Sequence, residues 1–272
     1  MLIVTGTKRS GTSLWMQLLI SAGYKSVGTK FPRNWEQKLK DANPNGFYES
    51  ALRKGVYWET NPHPETGRYL HPKNTSRLLA KVFIPGLVKS DHAFLSRVIC
   101  SVRPWRQYSR SIRKMRTLES QVFEWSTKEK QPHYLPPELE WLKENFQLVR
   151  DLRVRGYPHR VVPHSQLMTK PQATLAKILA WVGGDPEKAP ELAKQIDPAL
   201  YRNRSPQVSS VLKDEHIALL DTWQAYVEDG DWGNLEGLKA LNEAWSIGLE
   251  KGWFEQTYRW DDPRVAGEEL TT

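Results

Sequence analysis

The sequence predicts an α/β protein of three layers, α/β/α, with helices on both faces of a central, mainly parallel sheet and a helical C-terminal part. Three observations carry that expectation. A short β-branched run, Leu2–Thr5, passes through a glycine turn into Ser13–Ala22, which sets Leu14, Leu18 and Leu19 on one helical face. Two more compact apolar runs bounded by breakers, Leu78–Ile84 and Arg97–Val102, read as buried strands. Strands that alternate with helical stretches place helices over both faces of a parallel sheet.

The remaining elements follow in order. Pro85 and Gly86 close the second strand, and Ser90–Leu95 has room for a short helix. Leu139, Leu142, Phe146 and Val149 recur at helical spacing, which predicts a helix over Pro137–Arg153 stopped by Gly156 and Pro158. Arg160–Pro163 reads as a strand and Ala173–Val182 as a helix ended by Gly183-Gly184. Ser210–Val227 and Leu235–Leu249 read as two further helices. The expected organisation is one domain over 1–272, with an α/β core at 1–185 and a helical extension at 186–272. The polar, proline-bearing stretch Gln121–Pro136 reads as a mobile loop or lid.

Composition narrows the function classes. The chain has 39 Lys and Arg against 31 Asp and Glu, a formal charge of +8, densest between Arg97 and Arg116. That favours an anionic ligand and equally suits a solvated basic surface. No apolar run approaches the roughly 20 residues of a membrane helix, so no membrane span is expected. The chain opens directly on Leu2-Ile3-Val4 with no leader-like stretch. The single cysteine, Cys100, has no partner for an intramolecular disulfide. A reducing, cytoplasmic setting is expected, with Cys100 a small buried group in Val98-Ile99-Cys100. Among the 12 tryptophans, Trp35, Trp58, Trp105 and Trp125 are candidates for an aromatic acceptor wall, while Trp223 and Trp245 sit at helical spacing and read as core.

The most informative segment is Thr5-Gly6-Thr7-Lys8-Arg9-Ser10-Gly11-Thr12-Ser13, between a strand and a helix. A tight turn that feeds a helix N-terminus gathers unpaired backbone N–H groups at the positive end of the helix dipole, which makes a phosphate site. Small residues let the backbone come close, hydroxyls at Ser10, Thr12 and Ser13 can donate, and Lys8 and Arg9 add charge. Gly6, Gly11 and Ser13 match the spacing of the nucleoside-triphosphatase loop G-x-x-x-x-G-K-[ST], which points to a P-loop-type fold. Thr12 stands where that loop has its lysine. The lysine pairs with the β- and γ-phosphates of a triphosphate, so its loss argues against an ordinary ATPase. The strand that would carry a magnesium-binding aspartate ends instead in Arg103. No His/Cys cluster has zinc spacing, and no metal is expected.

With these residues the chain resembles the sulfotransferases that use 3′-phosphoadenosine 5′-phosphosulfate (PAPS), whose phosphosulfate loop reads approximately P-[KR]-S-G-T-[TS]. Arg9-Ser10-Gly11-Thr12-Ser13 follows that pattern, with Lys8 where proline is usual. The family's second signature is an arginine at a strand end with a serine eight residues later. Arg103 and Ser111 have that spacing, although the nearby proline falls one place early and the usual acid is missing. Asn43-Pro44-Asn45-Gly46-Phe47-Tyr48-Glu49 is similar to the N-P-x-G-[FY]-x-E segment of bacterial members. His164-Ser165-Gln166-Leu167 looks like the degenerate Y-E-D-L strand that precedes a helix. The resemblance spans about residues 1–185; beyond it, only Tyr201-Arg202 sits where an adenosine-phosphate arginine is sometimes found.

The resemblance implies transfer of a sulfuryl group from PAPS to an acceptor, a small-molecule or glycan-like hydroxyl, with adenosine 3′,5′-bisphosphate leaving. It implies that Thr7, Lys8, Arg9, Ser10, Gly11, Thr12 and Ser13 hold the phosphosulfate, and that Arg103, Ser111 and Arg202 hold the other end of the nucleotide. Arg9 becomes the loop's electrostatic clamp, since an arginine does not release its proton at neutral pH. Glu49 aligns with the base of glutamate-type members, with His63, His71 and His92 as alternatives, and Lys81 aligns with a lysine that some members bring to the active site. Two other classes stay open: a P-loop small-molecule or nucleotide kinase using ATP, and a nucleic-acid module built on the basic 97–116 stretch. The expectation is no nucleic-acid partner.

Overall fold

The central sheet has five strands, β1 (Leu2–Thr5), β2 (Lys25–Val27), β3 (Leu78–Lys81), β4 (Arg97–Val102) and β5 (His159–Pro163), in the order β2-β3-β1-β4-β5 and parallel throughout. The computed structural model describes residues 1–30, 43, 45–50, 52–63, 65–122, 132–201, 208, 210–230, 235–259 and 261–266. Two short antiparallel ribbons lie outside the sheet, Thr29–Lys30 with Tyr48–Glu49 and His133–Tyr134 with Tyr258–Arg259.

Strand pleating divides the core in two, because successive side chains of a strand point to opposite faces. Leu2, Val4, Leu79 and Ile99 pack on one face against α1 (Thr12–Ser21), and Ile3, Ala80, Val98 and Cys100 pack on the other. The second face is covered by α2 (Ile84–Lys89), α3 (Trp105–Val122) and α4 (Pro137–Arg155). Beyond β5 the chain makes α5 (His164–Thr169), α6 (Pro171–Val182) and α7 (Ala189–Ala193), whose apolar residues join α1 on the first face. α8 (Asp214–Asp229) and α9 (Leu235–Glu250) return to the second, where Trp223 is fully buried and Trp245 stacks on Phe146 with ring centroids 4.0 Å apart. The three-layer α/β/α arrangement with its helical C-terminal part is therefore present, and both tryptophans read as core pack as such.

Several boundaries differ from the sequence reading. The strand read as Leu78–Ile84 ends at Lys81, because Pro85 occupies the first turn of α2, where its missing N–H leaves no bond unmade. Ser90–Leu95 yields only a single 3-10 turn, His92–Phe94. His164–Leu167, read as a strand by resemblance, is the start of α5. β2 and α3 were not anticipated: β2 has three residues and none is buried, and α3 is so rich in Arg and Lys that its apolar stripe is easily overlooked. The stop at Gly156 holds, with that residue capping α4 in the left-handed region at φ 62°. Of the predicted loop Gln121–Pro136, residues 123–131 lie outside the described residues. No helix among the described residues is long and apolar enough to cross a membrane.

Candidate functional site

Four strands deliver residues to one edge of the sheet. The glycine loop leaves the end of β1, Lys81 is the last residue of β3, Arg103 follows β4 and His164 follows β5. In a parallel sheet all carboxyl ends share that edge, and the connections diverge between β1 and β4, so a crevice opens there. Lys8, Arg9, Gly11, Thr12 and Ser13 line this cleft together with Arg103, Ser111, Glu49 and Lys81, around a cavity of about 340 Å³.

The loop is shaped by its glycines and by Ser10. A Cβ on Gly6, at φ 154°, would drive into the Ser101 carbonyl and the Ser10 hydroxyl; one on Gly11, at φ 89°, would lie 2.7 Å from Cδ2 of His164. Ser10 Oγ donates to the Thr7 carbonyl at 2.7 Å, and Ser101 Oγ donates to the Ser10 carbonyl at 2.5 Å. These bonds tie the turn to itself and to β4. Arg9 takes a left-handed φ of 65°, a conformation costly for a residue with a side chain. Gly11 caps α1 without any side-chain hydrogen bond, so the first-turn amides of that helix are left for another acceptor.

Arg9, Arg103 and Ser111 are joined. Arg9 Nε donates to Ser111 Oγ at 3.1 Å, and Arg103 Nη1 donates to the Arg9 carbonyl at 2.8 Å. Burial, reinforced by the neighbouring Arg9, pulls the Arg103 guanidinium down to about 10. Two cations held this close, one of them buried, repel each other and favour an anion between them.

On the other side of the loop, Lys81 Nζ donates to Glu49 Oε1 at 2.8 Å and to Ser13 Oγ at 3.3 Å. Both side chains of the ion pair are almost wholly buried, and Glu49 Oε2 is buried with no hydrogen-bond partner among the described residues. Burial, partly offset by Glu49, draws Lys81 below the ordinary lysine range. Ser13 Oγ also accepts from the Tyr48 amide at 3.1 Å, so the ribbon carrying Glu49 is fastened directly to the first turn of α1.

The predicted residues do not all arrive in the cleft. Thr7 and Ser10 are buried beneath the loop and help to shape it, outside the cleft lining. His63 accepts from the Glu65 and Thr66 amides, His71 caps a helical turn at Pro72–Thr75, and His92 lies against Tyr157, so none of the three is placed to act as base. Trp58 stands exposed away from the cleft, and Trp105 is buried with Nε1 donating to Asp221 at 2.7 Å, so neither forms an acceptor wall. Arg202, Trp35 and Trp125 lie outside the described residues. Cys100 is fully buried, and burial pushes its thiol far above the ordinary range.

The basic stretch proves to be partly internal. Arg106 pairs with Asp221, Arg113 with Glu138 at 3.6 Å and Arg116 with Glu140. Those arginines fasten α3 to its neighbours, while Arg97 and Lys114 of the same stretch are exposed. Among the described residues no group of three His, Cys, Asp or Glu is placed to hold a metal ion.

Sequence reasoning missed His164 as a cleft residue in its own right. Its ring is buried beside Gly11 and tilted against Tyr201 with centroids 5.4 Å apart, and Nδ1 has no partner among the described residues. Burial, with the charges of Arg103 and Arg9, holds its pKa down at about 3. The available signal was its place directly after a predicted strand, at the edge where the glycine loop and Arg103 also emerge. No protein-family model matches the chain, and no curated protein matches it.

Proposed function

We propose that this chain is a sulfotransferase that takes PAPS as donor and transfers its sulfuryl group to an acceptor hydroxyl, releasing adenosine 3′,5′-bisphosphate. The observation that carries the reading is the convergence of two anion-binding elements on one cleft: the glycine loop at the start of α1, and Arg103 with Ser111 some 90 residues later in the chain, joined through Arg9. A nucleotide phosphorylated at both 5′ and 3′ positions presents two anionic groups to such a pair.

The residues fit that donor. The uncapped amides of α1 and the Thr12 hydroxyl suit the 5′ group, and the buried guanidinium of Arg103 suits a second phosphate. Arg9 lies between the two and is the cation best placed to stabilise charge that develops on the leaving group. Glu49 supplies the base. Lys81 fixes one carboxylate oxygen, which leaves Oε2 to accept the acceptor's hydroxyl proton. The buried single thiol agrees with a reducing, cytoplasmic setting.

The test is binding and turnover with purified protein. Adenosine 3′,5′-bisphosphate is expected to bind at least about tenfold more tightly than adenosine 5′-phosphate, since one charge-assisted contact is worth roughly 1.5–3 kcal/mol. Arg9→Ala is expected to cut sulfuryl transfer about 10²–10³-fold, the usual consequence of losing a transition-state donor. Magnesium-dependent ATP turnover with no preference for the bisphosphate would replace this reading with a kinase.

A further inference from the structure

The chemistry of the acceptor is the open part of that reading, and the present inference rests on it. Arg53 lines the cleft together with Glu49 and Lys81 and is close enough for its charge to act on Lys81. Three other cations of the cleft are engaged: Lys81 by Glu49, Arg9 by Ser111 and Arg103 by the Arg9 carbonyl. Arg53 is solvent-exposed, and no ion pair or side-chain hydrogen bond holds its guanidinium among the described residues. Lys114, also exposed and lining the cleft, stands on α3, the wall that carries Ser111.

The position of Arg53 is built. Its amide donates to the Ser50 carbonyl at 3.1 Å, and its own carbonyl accepts from the Phe83 amide at 3.1 Å. Gly86 passes so near that a Cβ there would lie 2.8 Å from the Arg53 carbonyl oxygen and 2.5 Å from the Lys54 carbonyl carbon. The backbone of Arg53 is thereby clamped to the segment directly after Lys81, and the guanidinium is tethered beside a buried ion pair whose own charges already balance. An uncompensated cation in that place repels Lys81, and an anionic ligand group removes the repulsion. Phe47, under Arg9 at 5.5 Å, and Phe83, under Lys81 at 4.9 Å, give the same end of the cleft two aromatic surfaces.

We propose that the acceptor is an anionic, ring-bearing hydroxyl compound, whose carboxylate-like group Arg53 grips while its hydroxyl is presented to Glu49. Arginine suits the task because its planar fork meets a carboxylate through two parallel hydrogen bonds.

The experiment titrates 4-hydroxybenzoate and its methyl ester, by calorimetry, into wild-type protein saturated with adenosine 3′,5′-bisphosphate, and into the Arg53→Gln and Arg53→Lys variants. The expected result is a preference of about tenfold for the free acid in the wild type, lost in Arg53→Gln and partly kept in Arg53→Lys. Equal or tighter binding of the ester, no binding of the acid at millimolar concentration, or a preference that survives Arg53→Gln overturns the proposal. Binding of the bisphosphate is read separately. It is expected to be unchanged in both variants, which also shows that they fold. If the bisphosphate itself does not bind, the sulfotransferase reading fails, and the acid-over-ester preference is then measured on the free protein.

Discussion

Lys81 Nζ lies 2.8 Å from Glu49 Oε1, with only 4% and 6% of the respective side chains exposed. The pair joins the end of a central strand to a two-residue ribbon that has no place in the main sheet. Through Ser13 it also reaches the first turn of α1. One buried charge pair thus fixes the spacing between the glycine loop and the carboxylate assigned as base.

That arrangement predicts a large asymmetry between single and double substitution. Lys81→Met leaves the Glu49 carboxylate buried without a counter-charge and is expected to cost about 3–5 kcal/mol of stability in urea unfolding at pH 7. Lys81→Met combined with Glu49→Leu removes both charges and is expected to recover most of the loss. A single-variant cost below about 1 kcal/mol would mean that the pair is hydrated in solution, as surface pairs are.

The glycine loop makes a second prediction. Gly6 sits at φ 154° with Ser101 and Ser10 filling the space that a side chain would need. Ser101 belongs to β4, which cannot retreat without breaking its pairing to β1 and β5. Gly6→Ala is therefore expected to destabilise the protein by at least about 2–3 kcal/mol, more than a Gly→Ala change at an open position such as Gly67, and to weaken nucleotide binding. Comparing the two variants by thermal unfolding separates the steric clash from the general effect of losing a glycine.

How far the sequence anticipated this site depends on how local each signal is. The loop and α1 were legible because strand, glycine turn and helix lie within about 20 consecutive residues. Arg103 and Ser111 were found as a spacing, and that spacing places Arg103 just before the start of α3 and Ser111 about two turns further on, in a helix the reading did not predict. Glu49 and Lys81 were named separately, but their pairing across 32 residues depends on the ribbon folding over α1. Arg53 carried no motif, and His164 was read only as the first residue of a segment similar to Y-E-D-L, with no role in the cleft. Their importance comes from the close approach of Gly86 in one case and from strand order in the other, and neither is written in nearby residues.

His164 gives a pH prediction. Burial first, then the charges of Arg103 and Arg9, hold its pKa near 3 in the folded protein, against 6.5 as the ordinary value. Between those values the unfolded chain binds a proton that the folded chain refuses. The stabilising effect of the neutral ring is therefore complete above pH 6.5 and is lost progressively as the pH falls toward 3. His164→Gln is expected to flatten the decline of stability below pH 6.5, by up to about 1.4 kcal/mol per pH unit. Denaturant unfolding of both proteins at pH 7.0, 6.0, 5.0 and about 4.5 measures the difference, because carboxylate titration is common to both and cancels.

The nucleotide assignment is tested most sharply by Arg103 and Ser111, both of which bond to Arg9. Arg103 holds the Arg9 carbonyl, whereas Ser111 meets its side chain. Arg103→Ala therefore removes a candidate phosphate contact and also loosens the loop, so it is expected to weaken both adenosine 3′,5′-bisphosphate and adenosine 5′-phosphate. Ser111→Ala leaves the backbone of the loop intact and is expected to weaken the bisphosphate by about 3–10-fold, the worth of one hydrogen bond, with little change for the monophosphate. The contrast between the variants carries the information. If Arg103→Ala weakens the two nucleotides equally and Ser111→Ala weakens neither, then Arg103 is a strut for the loop, and the second phosphate must be held elsewhere in the cleft.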